Sequence, residues 1–282
     1  MGNESITTKH SPETSAERGV QAIYERVRKI LENGSLDPKN FIDLYGESNV
    51  ARDLQTVTRL KAGFERDEAK HMAEVLEAII YEQITQSEWL GPNAETIRPS
   101  EYDDFVNGVD LIVEFDDTES SRHLALGVDI TFGSDTMRKK FTRIRNEIHE
   151  DKLAEVKYFE SHGFKGSLKQ LPRVVIGVEI DTIVELAGLW IHGSKKELAT
   201  HFIKNIISEE IERQLRTFLA YARSINSVNA IRSYTSALST LEKVRVGSDS
   251  TGMDQNKNES IDKDRVYQEI RKQLEDFRVT SR

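Results

Sequence analysis

Two aspartates stand inside otherwise apolar runs, Asp110 in residues 108–115 (GVDLIVEF) and Asp129 in residues 123–132 (HLALGVDITF). Both runs read as strands, and the acidic stretch between them, residues 116–122, reads as the turn of a β-hairpin. A symmetric turn sets Asp110 opposite Asp129, and a slip of two residues leaves both on one face within diagonal reach. Alternation puts Asp110, Ile112 and Glu114 on the same side as Gly127, Asp129 and Thr131. Leu111, Val113, Leu126, Val128 and Ile130 fill the other. Two carboxylates in one neighbourhood repel each other and are costly to desolvate. A hard divalent cation removes that cost, since Mg²⁺ is commonly held by one or two carboxylates and water. On a wet face the same acids would only solubilise the hairpin.

The elements around the hairpin are mostly helical. Apolar residues recur at helical spacing over 16–31, with Gly34 as a stop. Asp37-Pro38 reads as an N-cap followed by proline at the first helical position, opening a short helix that ends near Gly46. Further helices are expected over 49–62 and 67–88. Breakers at Gly91, Pro92 and Pro99 precede the hairpin, with Asp103 and Asp104 expected to form a turn together with Asn107-Gly108. After it come a helix from Ser134 or Asp135 to Glu150, a strand over 154–159, and RVVIGV at 173–178 as a fully buried strand. Helices over 181–191, 195–224 and 229–244 follow. Residues 246–260 have the composition of a linker, leading to a short, highly charged helix whose docking nothing in its sequence demands.

The chain has 282 residues, a formal charge of −9 and no cysteine. Lack of cysteine excludes disulfides, thiolate zinc sites, iron–sulfur clusters and thiol nucleophiles. The polar N-terminus has no targeting pattern. The most apolar stretch, 171–193, is interrupted by Arg173, Glu179, Asp181 and Glu185, so no membrane span and a cytoplasmic setting are expected. The histidines lack the spacing of a helical zinc site, and the glycine-rich phosphate-binding and nucleophile-elbow motifs are missing. Lysines 152, 157, 165 and 169 with Arg173, interleaved with Tyr158, Phe159 and Phe164, could track a nucleic-acid backbone or form a solvated loop and strand. The apolar seam of 195–224 suits core packing or a homodimer interface.

The hairpin and its flanks resemble the PD-(D/E)XK, restriction-endonuclease-like superfamily, whose core runs helix, three strands, helix, strand. The resemblance covers about residues 68–178, with Asp110 in NGVDLIVEF matching the first acid, Asp129 in ALGVDITFG the second, and 96–98 as a very short first strand. It leaves over half the chain outside. It implies an α/β fold with a restriction-endonuclease-like core at 65–180: a helix, a central mixed sheet containing the hairpin, and a second helix. Around it would stand a lead at 1–15, an N-terminal helical segment at 16–64, C-terminal helices at 181–245, and a linker with a charged helix at 246–282. It further implies Mg²⁺ or Mn²⁺ held by Asp110, Asp129 and the Ile130 carbonyl, and hydrolysis of nucleic acid. The family's lysine position holds Thr131, so the cation would come from the next helix, where Lys140 flanks the apolar stripe and Lys139 points outward. Glu77, at the margin of the inward face of the 67–88 helix, matches the acid that members often add. The alternative expectation is an inactive nuclease-fold scaffold or binding protein.

Overall fold

A computed structural model describes residues 15–63, 68–117, 120–129, 134–161, 163–247 and 264–278. Ser15–Asn33 (α1), Ile42–Tyr45 (α2), Glu47–Ala62 (α3) and Glu68–Gln86 (α4) precede the first strand, Ala94–Ile97 (β1). Asp37 accepts a hydrogen bond from the Lys39 amide and Pro38 opens a 3-10 turn, as an N-cap followed by proline should. Glu101–Phe105 (α5), the hairpin Leu111–Asp117 (β2) and Ser120–Asp129 (β3), and Ser134–His149 (α6) follow. Next come Ala154–Ser161 (β4), Phe164–Leu171 (β5), Arg173–Gly177 (β6), Ile180–Ile191 (α7), Lys195–Thr200 (α8) and Ile203–Ser224 (α9). Val228–Gly247 (α10) and Arg265–Glu275 (α11) end the described chain. The fold is mixed α/β.

One sheet has the order β1-β2-β3-β6, antiparallel except that β6 runs parallel to β3. Side chains of β2 alternate between two cores. Leu111, Val113 and Phe115 join the main core beneath the helices, whereas Ile112 packs with Val156, Phe159 and Leu171 of the β4–β5 hairpin. All five residues of β6 are buried, which explains why its sequence runs apolar without alternation. Its outer edge would leave backbone groups unpaired. Two side chains of α9 satisfy it: Gln214 bonds both the amide and carbonyl of Val175, and Glu210 accepts from the Gly177 amide.

The hairpin register is offset from the symmetric one. Leu111 faces Leu126, so Asp110 lies level with Gly127 and two residues along from Asp129, the diagonal arrangement. The first strand begins at Leu111, not Gly108, because Gly108 adopts φ +60°, outside the extended range.

Three other expectations change. Residues 164–171 form β5, a strand antiparallel to β4. The long 195–224 helix is broken at His201, whose backbone is extended, giving α8 and α9. Asp103 and Asp104 do form the expected turn with Asn107 and Gly108, and Asp103 is also fully buried in α5. Its carboxylate accepts from the Lys157 and Tyr158 amides, the Ser100 hydroxyl and the Asn107 amide, at 2.7–3.0 Å. The C-terminal helix α11 docks, burying Val266, Tyr267, Ile270, Leu274 and Phe277 in the main core.

The N-terminal helices attach through a charged, aromatic contact. Lys157 ion-pairs with Asp53, and its ammonium stands 5.2–5.4 Å from the ring centres of Tyr45, Tyr102 and Tyr158. No helix among the described residues is long and apolar enough to cross a membrane.

Replacing Asp103 by alanine strands two buried backbone amides as well as two side-chain donors. Asp103→Ala should therefore lower unfolding stability by about 3–5 kcal/mol in urea denaturation. Asp103→Asn, which keeps an acceptor, should lose less.

Candidate functional site

Asp110 follows an irregular segment built by two arginines. Arg173, buried at the head of β6, donates to the carbonyls of Asn107 and Gly108 and ion-pairs with Glu147 at 3.1 Å. Arg143 of α6 donates to the Val106 carbonyl and lies so close to Gly108 that a side chain there would collide with its guanidinium. The positive φ favours glycine at 108, and any side chain there would have to displace the Arg143 guanidinium. Segment 106–109 is thus pinned, and it delivers Asp110 to the N-terminal end of β2.

On α6, Met137, Phe141, Ile144 and Ile148 point into the main core, which turns Lys140 toward the sheet. Its Nζ lies 3.4 Å from Asp110 Oδ2, with both side chains partly buried. From the opposite flank, α4 buries Val75, Leu76, Ile79 and Ile80 and presents Glu77. The Glu77 carboxylate pairs with Arg98, directly after β1, at 2.9 Å, and both side chains are 14% exposed. Arg98 also donates to the Leu31 carbonyl at the end of α1.

Glu77 is pushed up to about 7, first by burial and further by the negative charge of Asp110, with Arg98 acting in the other direction. It follows that Asp110 and Glu77 occupy one electrostatic neighbourhood despite a separation of 33 residues in sequence. Of the expected residues, Asp110 and Lys140 are thus in contact, and Glu77 on α4 lies within electrostatic range of Asp110. Backbone pairing sets Asp129, the last residue of β3, beside Gly177 of β6, at the same end of the sheet. The Asp129 side chain, Ile130 and Thr131 lie outside the described residues, so the expected Ile130 carbonyl ligand does too. Among the described residues no group of three or more histidine, aspartate or glutamate side chains is placed to hold a metal.

The donor set fits a hard cation in kind: carboxylate oxygens, partly desolvated, with mutual repulsion that a divalent ion would relieve. Arg98, Arg143 and Arg173 are the partners that sequence reading did not assign to the site. Arg173 stands at the head of a continuous apolar run, where a charge is out of place unless it is paired. Arg98 had no comparable signal.

A scan against models of known protein families finds no match, and neither the curated proteins nor the solved structures contain a significant match to this chain.

A carboxyl raised from about 4.5 in the unfolded chain to about 7 stabilises the fold below pH 4.5, and that contribution is lost as pH climbs through 7. Thermal denaturation should thus show Glu77→Gln gaining on the native protein between pH 5 and pH 8, by up to about 3 kcal/mol. A constant difference across that range would contradict the buried, raised carboxyl.

Proposed function

We propose that the protein is a metal-dependent phosphodiesterase acting on nucleic acid, built on a restriction-endonuclease-like core. The observation that carries this reading is the electrostatic coupling of Glu77 with Asp110 beside Lys140, at the sheet end where β3 finishes with Asp129. Support also comes from the element order: α4, three antiparallel strands, α6, then a strand parallel to β3, with the β4–β5 hairpin inserted before it.

Asp110, Asp129 and the Ile130 carbonyl would hold Mg²⁺ or Mn²⁺. When bound, such an ion polarises the phosphodiester and lowers the pKa of an attacking water. The chain's own groups would do the rest. Glu77, presented by α4 and near enough to feel the Asp110 charge, would assist the metal or take a proton from that water. Lys140 supplies positive charge where the phosphoryl oxygens gain negative charge. Thr131 cannot substitute for it.

A second reading, an inactive scaffold of the same fold, is favoured by one feature: each described acid already has a cation of the chain's own, Arg98 for Glu77 and Lys140 for Asp110.

Isothermal titration with Mn²⁺ separates the site from its absence: Asp110→Ala and Asp129→Ala should each abolish saturable binding. Undiminished binding in both variants would remove the site. Mn²⁺-dependent cleavage of plasmid and single-stranded substrates separates enzyme from scaffold. Asp110→Ala should slow it by about 100-fold or more, and Lys140→Ala by at least about tenfold. Mn²⁺ binding without cleavage of any substrate would leave the scaffold reading.

A further inference from the structure

The outward side of α6 borders a cavity of about 560 Å³, within the range of roughly 300–1,000 Å³ usual for ligand sites. On a chain of net charge −9, its lining is cationic: Arg138, Lys139, Arg143, Lys152 and Arg173. Three acids share the wall. Glu147 serves two guanidiniums at once, pairing with Arg143 at 3.3 Å and Arg173 at 3.1 Å. Glu155 lies 3.8 Å from Lys169, outside the cavity. Glu150 is the third.

Two arginines sharing one carboxylate leave a surplus positive charge, and Arg143 is held below its ordinary value by burial and by the nearby Arg173. Lys139 is exposed and has no acidic partner among the described residues, and the same is true of Lys152. The Thr142 hydroxyl and the Asn146 amide line the wall between them and are neutral donors. Such a mixture of surplus cations and neutral donors in a concave site is what a chain of phosphodiesters requires, since phosphates are gripped by lysine, arginine, hydroxyl and amide groups together.

The cavity adjoins the candidate site. Lys139 neighbours Lys140 in sequence, Asn107 of its wall stands three residues before Asp110, and Arg143 feels the Asp110 charge.

We infer that this cavity is a sugar–phosphate binding site that seats a nucleic-acid strand beside the Asp110–Glu77 centre, with Lys139 and Lys152 as its positioning residues. The inference rests on the phosphodiesterase reading for what happens to the strand, though not for whether it binds. The two lysines are exposed, so replacing them leaves the core intact, whereas Arg173 supports the fold and is unsuitable for the test.

Fluorescence anisotropy of short labelled DNA and RNA oligonucleotides, in EDTA and over a salt series, measures this binding without any metal. The native protein should bind at least one of them. Lys139→Ala/Lys152→Ala should weaken that binding about tenfold at low salt. It should also reduce the slope of log affinity against log salt by roughly 1.4–1.8, as two phosphate contacts require. Its thermal midpoint and Mn²⁺ titration should match the native protein. No binding by the native protein, an unchanged slope in the variant, or equal competition by poly-glutamate, which would indicate an acidic polypeptide as the occupant, would each overturn the inference. A native protein that binds the oligonucleotides but not Mn²⁺ would instead count against the phosphodiesterase reading alone.

Discussion

A carboxyl that is largely removed from water, beside a second carboxylate, is an expensive thing to place in a fold. Glu77 is in that position, and Arg98 in direct contact makes it tolerable, while Lys140 pairs with the neighbouring Asp110. The desolvation still prevails over Arg98, which is why the carboxyl is raised rather than depressed. A carboxyl whose pKa is raised by burial and by a neighbouring charge is a feature shared by many sites that handle a further charged species.

The remaining architecture holds that arrangement in place. The α4 helix is oriented by its apolar stripe, and α6 by Met137, Phe141, Ile144 and Ile148, so the two flanking charges cannot turn away without unpacking the main core. Asp110 would be free to move at the end of β2 if the preceding segment were loose. Arg173 and Arg143 prevent this by bonding the carbonyls of 106–108. The parallel strand β6 is fixed in turn by Gln214 and Glu210 of α9, which complete its open edge. Glu210 is fully buried, and desolvation pushes its carboxyl well above the ordinary carboxylate range. Both helical and strand partners thus converge on the sheet end that carries Asp110 and Asp129.

What could be read from sequence followed from strong local signals. Asp37-Pro38 announced its turn, the RVVIGV run its buried strand, and the two apolar runs around Asp110 and Asp129 their hairpin. Helical spacing correctly turned Glu77 and Lys140 toward the sheet, because the stripes of α4 and α6 are regular. The failures were non-local. Asp103 is the turn acid its sequence suggests, bonded to Ser100 and Asn107, but its burial depends on the backbone of β4, some 55 residues on. Strand β5 (FKGSLKQL) is partly exposed and lysine-bearing, so its pattern resembles a loop until β4 is there to pair with it. The break at His201 interrupts a continuous apolar seam. His201 is buried, its ring accepts from the Ile203 amide two residues on, and its other nitrogen faces Glu185 of α7 at 3.5 Å. The role of Arg98 depends on contacts with α1 and α4 that no local pattern encodes.

Titrating the Glu77 carboxyl directly tests the central claim. In carbon-detected NMR across the neutral range, the native protein should show Glu77 with a midpoint near 7, falling toward the ordinary carboxylate value when Asp110→Asn removes its neighbour's charge. A native midpoint near 4.5, or one that Asp110→Asn leaves where it was, would mean the two carboxylates do not share a neighbourhood, and the proposed site would have no basis.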